Sequence, residues 1–212
     1  MTHAEDLDKV VRAALHQLTA IEARLTTPGL AAKAAERNVA LCLIDAQSTW
    51  GLFFRAFFIS SFIGAKRGGG GRVTITAPGS RSPTDAIRWA AVANNARLAG
   101  QARIAPLDEP RWHQPNTLLR LAQRAGFSNA PQIQVAFGVP GRAFEDLPKA
   151  RNFYAHRSHH TANQVKALIG RYGLPAKIRA GEIAGHPHMT RPGSIAEYWL
   201  AQVIATIRLM PQ

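Results

Sequence analysis

Residues 39–65 read VALCLIDAQSTWGLFFRAFFISSFIGA, and how that stretch folds decides the architecture. Trp50, Phe53, Phe54, Phe57 and Phe58 recur at the spacing of one helix face. With the alanine-rich residues before it, the pattern predicts one unusually long helix from about Leu30 to Ala65. Gly51 and Gly64 stand where it would bend or end. The composition also suits a membrane span, but Asp45 and Arg55 interrupt it, with Gln47 and Ser48 between them. Each such charge costs about 2.5–3.5 kcal/mol at the centre of an inserted helix. A helix buried in a bundle or a dimer is the expectation.

On either side the chain keeps helical periodicity. Leu7, Val11, Leu15, Leu18, Ile21 and Leu25 predict an amphipathic helix over Ala4 to Leu25, closed by the Pro-Gly turn at 28–29. Gly68 to Gly71 form a flexible loop that lacks the Gly-Lys-Ser/Thr ending of a Walker loop. Arg72 to Thr76 alternate with β-branched residues, which suggests a short strand or an extended loop. Ser82-Pro83, with Asp85 in the first turn, opens a helix expected to reach about Leu98. Residues 100–115 are broken by proline. Further helices are expected over Asn116–Ala125, Pro131–Phe137, Arg142–His156 and Thr161–Tyr172, with Pro140-Gly141 as a separator. A last one runs from a Ser194 cap to about Met210. The fold class is therefore all-α, with at most one short β element. It reads as a single helical domain over 1–212, with a core at about 30–66 and 112–210 and an irregular insert at about 67–114.

Composition narrows the partners. The chain has 212 residues, 46% of them apolar, which is enough for a buried core. Its formal charge is +13, and 20 of the 26 basic residues are arginine. That balance favours an anionic partner, nucleic acid being the commonest. A GC-rich genome that inflates Arg and Ala is the plainer explanation. The single cysteine, Cys42, excludes a disulfide framework and a cysteine-based zinc site. Glu5, Asp6 and Asp8 give an N-terminus unlike a signal peptide, and a cytoplasmic protein is expected.

The residues with most chemistry are Arg151-Asn152-Phe153-Tyr154-Ala155-His156. Histidine moves a proton near neutral pH, and arginine braces a phosphate bidentately. Asn152 and His156 are four apart and share a helix face, so the amide can orient the imidazole. Arg151 and His156 are five apart, about 140° around the axis. One regular helix does not aim both at one phosphate. Either the helix distorts near His156, or a second copy completes the site across a two-fold axis.

Arg-Asn-x-x-x-His late in an all-helical chain resembles the signature of HEPN-domain ribonucleases. The run Trp112-His113-Gln114-Pro115-Asn116-Thr117-Leu118-Leu119, on through Gly126-Phe127, is similar to the segment before that motif in several HEPN branches. The specific resemblance covers Trp112 to His156. It implies a HEPN-like bundle acting as a metal-independent endoribonuclease without a cofactor. In that role His156 serves as general base or acid, Arg151 stabilises the pentacoordinate phosphorus, and Asn152 positions the His or the phosphate. Arg157, His159 and His160 would extend an RNA-binding surface. The resemblance also implies a homodimer with paired motifs, a toxin, phage-defence or stress role, and an antitoxin or regulatory partner. A supporting polar residue is expected on the long helix, with Asp45 as candidate and Gln47 or Ser48 behind it. One departure stands out: Ser158 occupies the place where relatives silenced by a nucleotidyltransferase carry a modified tyrosine.

Other readings stay open. The motif suits a solvated helix surface, or a HEPN-like module that binds without cleaving. Ala122 and Gly126 sit four apart, as in a helix-turn-helix over Thr117–Gly138 that would bind DNA. His156, His159, His160, His186 and His188 invite a metal, yet no cysteine or carboxylate completes a known spacing.

Overall fold

The computed structural model describes residues 2–79, 81–101, 103–138 and 141–210. Among these, eight α-helices form and no strand does. They are α1 (Leu7–Leu25), α2 (Ala32–Phe62), α3 (Pro83–Asn94), α4 (Pro115–Arg124), α5 (Ala130–Phe137), α6 (Ala143–His156), α7 (His159–Lys166) and α8 (Ile195–Leu209). The all-α class follows from the periodicity. Residue Pro140, read as part of a separator, lies outside the described residues. Arg72 to Thr76 is an extended loop rather than a strand, with one isolated bridge between Lys66 and Arg72. No helix among the described residues is long and apolar enough to cross a membrane.

The chain forms two compact units, one of Met1–Leu15, Trp50–Val139 and Thr206–Gln212, the other of His16–Thr49 and Pro140–Ala205. Helices α1, α2 and α8 each contribute residues to both.

The first unit is organised by aromatics. Trp50, Phe53, Phe54, Phe57, Phe58 and Phe62, all from α2, have no solvent exposure. Phe58 is the hub, with ring centroids 5.1 Å from Phe127, 5.3 Å from Trp112, 6.0 Å from Phe62 and 6.2 Å from Trp89. Helix α3 starts as expected: the Ser82 side chain accepts from the Asp85 N–H, and Pro83 occupies the first turn. It ends earlier than the periodicity suggests. Asn95 leaves helical geometry at φ −143°, and its side chain accepts from the Arg97 N–H, so Ala96–Leu98 is a separate 3-10 turn. The extended loop is held against the α4–α5 turn, where Thr76 and Ala77 N–H groups donate to the Ala125 carbonyl and Ser128 N–H donates to Thr74. Gly126 has a positive φ of 64°, and a side chain there would strike Thr76.

The proline-broken segment is tied to α2 by polar contacts. Arg55 donates to both oxygens of Glu109, at 2.6 and 2.8 Å, and the Trp112 indole donates to the same carboxylate at 2.9 Å. Burial works to raise the Glu109 pKa, but the hydrogen bonds from Arg55 and Trp112, with the Arg55 charge, hold it below its ordinary 4.5. A carboxyl depressed in the folded state stabilises above its unfolded pKa and loses that contribution as pH falls through the folded one. We therefore expect Glu109→Gln to cost about 1 kcal/mol at pH 7, a value reduced because Arg55 is about a third exposed. The gap between the wild-type and variant urea midpoints should narrow as pH falls from 7 to 3. A constant gap between pH 7 and pH 3 would show that the carboxylate charge contributes nothing.

The second unit packs Leu18, Ile21 and Leu25 of α1 and Val39, Cys42, Leu43 and Ala46 of α2, all buried. Buried Leu147, Ala150 and Tyr154 of α6, and Ile195, Trp199, Leu200 and Val203 of α8, complete its core. Between α7 and α8 the chain is irregular yet anchored, since Leu174, Ile178, Ile183 and Ala184 are buried. Burial pushes the Cys42 thiol above its ordinary pKa, which fits a packing role.

Candidate functional site

Helix α6 buries Ala143, Asp146, Leu147, Ala150 and Tyr154, a stripe at helical spacing. Position 151 flanks that stripe, whereas 152 and 156 lie on the side away from it. Accordingly Arg151 and Asn152 are half-buried and His156 is exposed. The Arg151 guanidinium donates from Nη1 to Asn152 Oδ1 at 3.2 Å, while its Nε is buried with no hydrogen-bond partner. Asn152 therefore spends its carbonyl oxygen on Arg151. The sequence reading paired Asn152 with His156 instead. His156 is the last residue of α6, and the helix's internal proline, Pro148, lies before the motif, so Arg151 and His156 stay about 140° apart around the axis.

The turn that follows is tight. Arg157 adopts φ 43° and ψ 38°, the one non-glycine residue at positive φ among those described, and its N–H donates to the Phe153 carbonyl at 2.7 Å. A left-handed non-glycine residue costs on the order of 1 kcal/mol, so its surroundings must hold it. Its guanidinium reaches Glu36 of α2 at 3.3 Å. Ser158 then opens α7 through a capping box: its Oγ accepts from the Thr161 N–H, and the Thr161 hydroxyl oxygen accepts from the Ser158 N–H. That cap starts α7 two residues before Thr161 and places His159 and His160 in its first turn. The helix stops at Lys166, and the chain goes on to Tyr172 in turns. His156, Arg157, His159 and His160 are thus all exposed around one two-residue corner. His160 is also 3.0 Å from the Gln164 amide.

The long-helix candidates are occupied in different ways. Asp45 pairs with Arg24 at 2.5 Å, and Ser48 donates to the Ile44 carbonyl. Gln47 keeps a buried Oε1 without a partner. No hydrogen bond joins these three to Arg151, Asn152 or His156 among the described residues. No group of three or more His, Cys, Asp or Glu side chains is arranged to hold a metal ion among them either.

Among the described residues, two of this unit's clefts are well formed, and neither is lined by the motif. One, of about 670 Å³, mixes acids and bases: Glu36, Glu182 and Glu197 with Lys33, Arg179 and His186. The other, of about 480 Å³, is lined by Arg142, Arg171, Tyr172, His188 and Tyr198 and holds no carboxylate. Beneath it lies a group that the sequence reading missed. Asp146 has no solvent exposure and accepts from Arg171, from Lys149 at 3.0 Å and from Tyr172 Oη at 2.9 Å. Tyr172 Oη in turn accepts from the Trp199 indole at 2.7 Å. Burial, foremost, raises the Tyr172 phenol above its ordinary pKa, and it does the same for Tyr154, which donates to the Gly181 carbonyl at 2.7 Å. The available signal was an acid on the apolar stripe: Asp146 falls between Ala143 and Ala150, where a carboxylate survives only if partners come with it.

No family model, curated protein or solved structure matches this chain. What the site can do rests on its geometry.

The helix-turn-helix segment does form two helices with Gly126 in the turn. Its second helix, α5, exposes Pro131, Gln134 and Val135, and no cation. Arg120 and Arg124 of α4 are turned onto Asn94 and the Ala93 carbonyl. That surface is poorly equipped for DNA phosphates. At the glycine loop, a Cβ on Gly68 would lie 2.8 Å from the Asp8 carboxylate, and an acid so close disfavours a phosphate there.

Proposed function

We propose that this protein is a metal-independent endoribonuclease of HEPN-like type, with Arg151, Asn152 and His156 as its reacting group. The observation that carries the reading is the α6–α7 corner, where an exposed histidine follows a hydrogen-bonded Arg-Asn pair and Arg157, His159 and His160 flank it. His156 accepts the proton of a ribose 2′-OH, and the 2′-oxygen attacks the adjacent phosphorus. Arg151 offsets the charge on the pentacoordinate phosphorus. The 5′-oxygen leaves and takes up the proton that His156 gives back, directly or through water, giving a 2′,3′-cyclic phosphate and a 5′-hydroxyl. Arg157, His159 and His160 hold the backbone on either side. Arg151 and His156 diverge on one helix, so the active form is a homodimer in which Arg from one copy and His from the other meet one phosphate. Such an activity suits a toxin, phage-defence or stress-response role, with an antitoxin or other partner to restrain it.

The test is RNA digestion in EDTA. Arg151→Ala and His156→Ala should each lose about 100-fold or more in rate. Mixing the two inactive variants should restore about a quarter of wild-type activity, because half of the random dimers carry one intact site. Rates unaffected by either substitution would refute the site. Loss of activity with chelator would refute the metal-free route, and RNA retention without cleavage would leave a binding module.

A further inference from the structure

We propose that the cleft bounded by Gly141, Arg142, Arg171, Tyr172, His188 and Tyr198 binds a small phosphorylated ligand, specifically a nucleoside 5′-monophosphate. This goes beyond the ribonuclease reading and does not rest on it, since Arg151, Asn152 and His156 do not line the cleft. Its lining contains two arginines, a histidine, two tyrosines and Thr190, and no Asp or Glu, so donors face the space without a competing anion. Two carboxylates act on Arg171 from outside the lining: Asp146, fully buried under Arg171 and Lys149, and Glu145 through its charge. Arg142, Arg171 and Lys149 outnumber these two carboxylates by one, so the surroundings of the cleft carry a net positive charge. Asp146 also fixes the donor geometry: it anchors Arg171 through Nη1, and the remaining guanidinium N–H groups are left on a side chain that is 32% exposed.

His188 is held as a donor. Its Nδ1 accepts from the Thr190 N–H at 3.3 Å, which leaves the proton of the neutral ring on Nε2. Its ring packs on Tyr198 at 4.4 Å between centroids and edge-on to Tyr172 at 6.0 Å, so the imidazole is braced from two sides. The volume of about 480 Å³ is in the range of small-molecule sites and is far more than one phosphate fills. Tyr172, Tyr198 and Met189 supply apolar and aromatic lining for a base, and Arg191, 5.0 Å from the Tyr198 ring centroid, adds a further cation beside it. Anion donors beside aromatic surface match a mononucleotide better than a free phosphate.

Isothermal titration of the full chain with the four nucleoside 5′-monophosphates, inorganic phosphate and adenosine tests this. At least one monophosphate should bind saturably, about tenfold or more tighter than either inorganic phosphate or adenosine. Arg142→Ala should weaken it about tenfold, the loss of one charge-assisted hydrogen bond, and His188→Ala should weaken it as well. Both side chains are outside the core, and thermal melting checks that the variants fold. Arg151→Ala should leave the affinity unchanged. No saturable binding by any monophosphate below about 1 mM would overturn the site. So would equal affinities in wild type, Arg142→Ala and His188→Ala. Inorganic phosphate binding as tightly as every monophosphate would overturn the ligand class.

Discussion

Replacing Phe58 with alanine should destabilise the protein by about 4 kcal/mol. The side chain is fully buried, and its ring meets those of Phe62, Trp89, Trp112 and Phe127. Deleting a buried phenyl group costs roughly 3–5 kcal/mol in transfer free energy and residual cavity. Lost aromatic pairs add about 0.5–1.5 kcal/mol each when they are well oriented, and partial collapse of the cavity works the other way. Collapse is limited here because the ring joins α2, α3, the α4–α5 turn and the proline-broken segment, and each is fixed by its own hydrogen bonds. Phe58→Leu keeps most of the volume and should cost about half as much. Thermal unfolding followed by circular dichroism should show a fall of roughly 8–16 °C for the alanine variant, at 2–4 °C per kcal/mol in a chain of this size. A fall of less than about 3 °C would mean that the cluster is looser than its ring distances imply.

How far the sequence disclosed these features depended on how local they are. The length of α2 was legible because its aromatic spacing is internal to the helix. The Ser82-Pro83 start was legible because a cap needs only its next three residues. Residues around Asn95 were misread for a related reason: alanine-rich periodicity continues past it, but the Asn95 side chain caps a 3-10 turn and competes with the helix. The start of α7 was legible in principle, since Ser158 and Thr161 stand three apart, although the histidines between them drew the boundary inward. The divergence of Arg151 and His156 came directly from 100° per residue. That Asn152 bonds Arg151 did not, because side-chain choice depends on what flanks the helix. Least legible was the cleft: Arg142, Arg171 and His188 are far apart in sequence, and only the irregular segment before α8 brings His188 to it.

Asp146→Ala should cost about 3 kcal/mol, and comparison with Asp45→Ala isolates the reason. Both carboxylates make an arginine ion pair, Asp45 with Arg24 and Asp146 with Arg171. The Asp45 pair is about half exposed on both sides, so water competes for each charge, and its loss should cost under about 1 kcal/mol. Asp146 has no exposure and satisfies three donors at once. Arg171 and Lys149 are each about a third exposed and can turn partly to water, which keeps the expected loss at the lower end for a broken buried pair. Half-buried Tyr172 is more constrained, because its hydroxyl also accepts from buried Trp199 and would lose its own acceptor. Asp146→Asn should recover only part of the loss, since it restores an acceptor but presents an N–H₂ to a cation or to the tyrosine hydroxyl. Urea unfolding of the three variants at neutral pH measures the order directly. Equal losses for Asp45→Ala and Asp146→Ala would show that burial does not set the strength of these pairs. Intact Asp146 also keeps Arg171 and Tyr172 in place, so its loss should weaken mononucleotide binding at the cleft even where the protein remains folded.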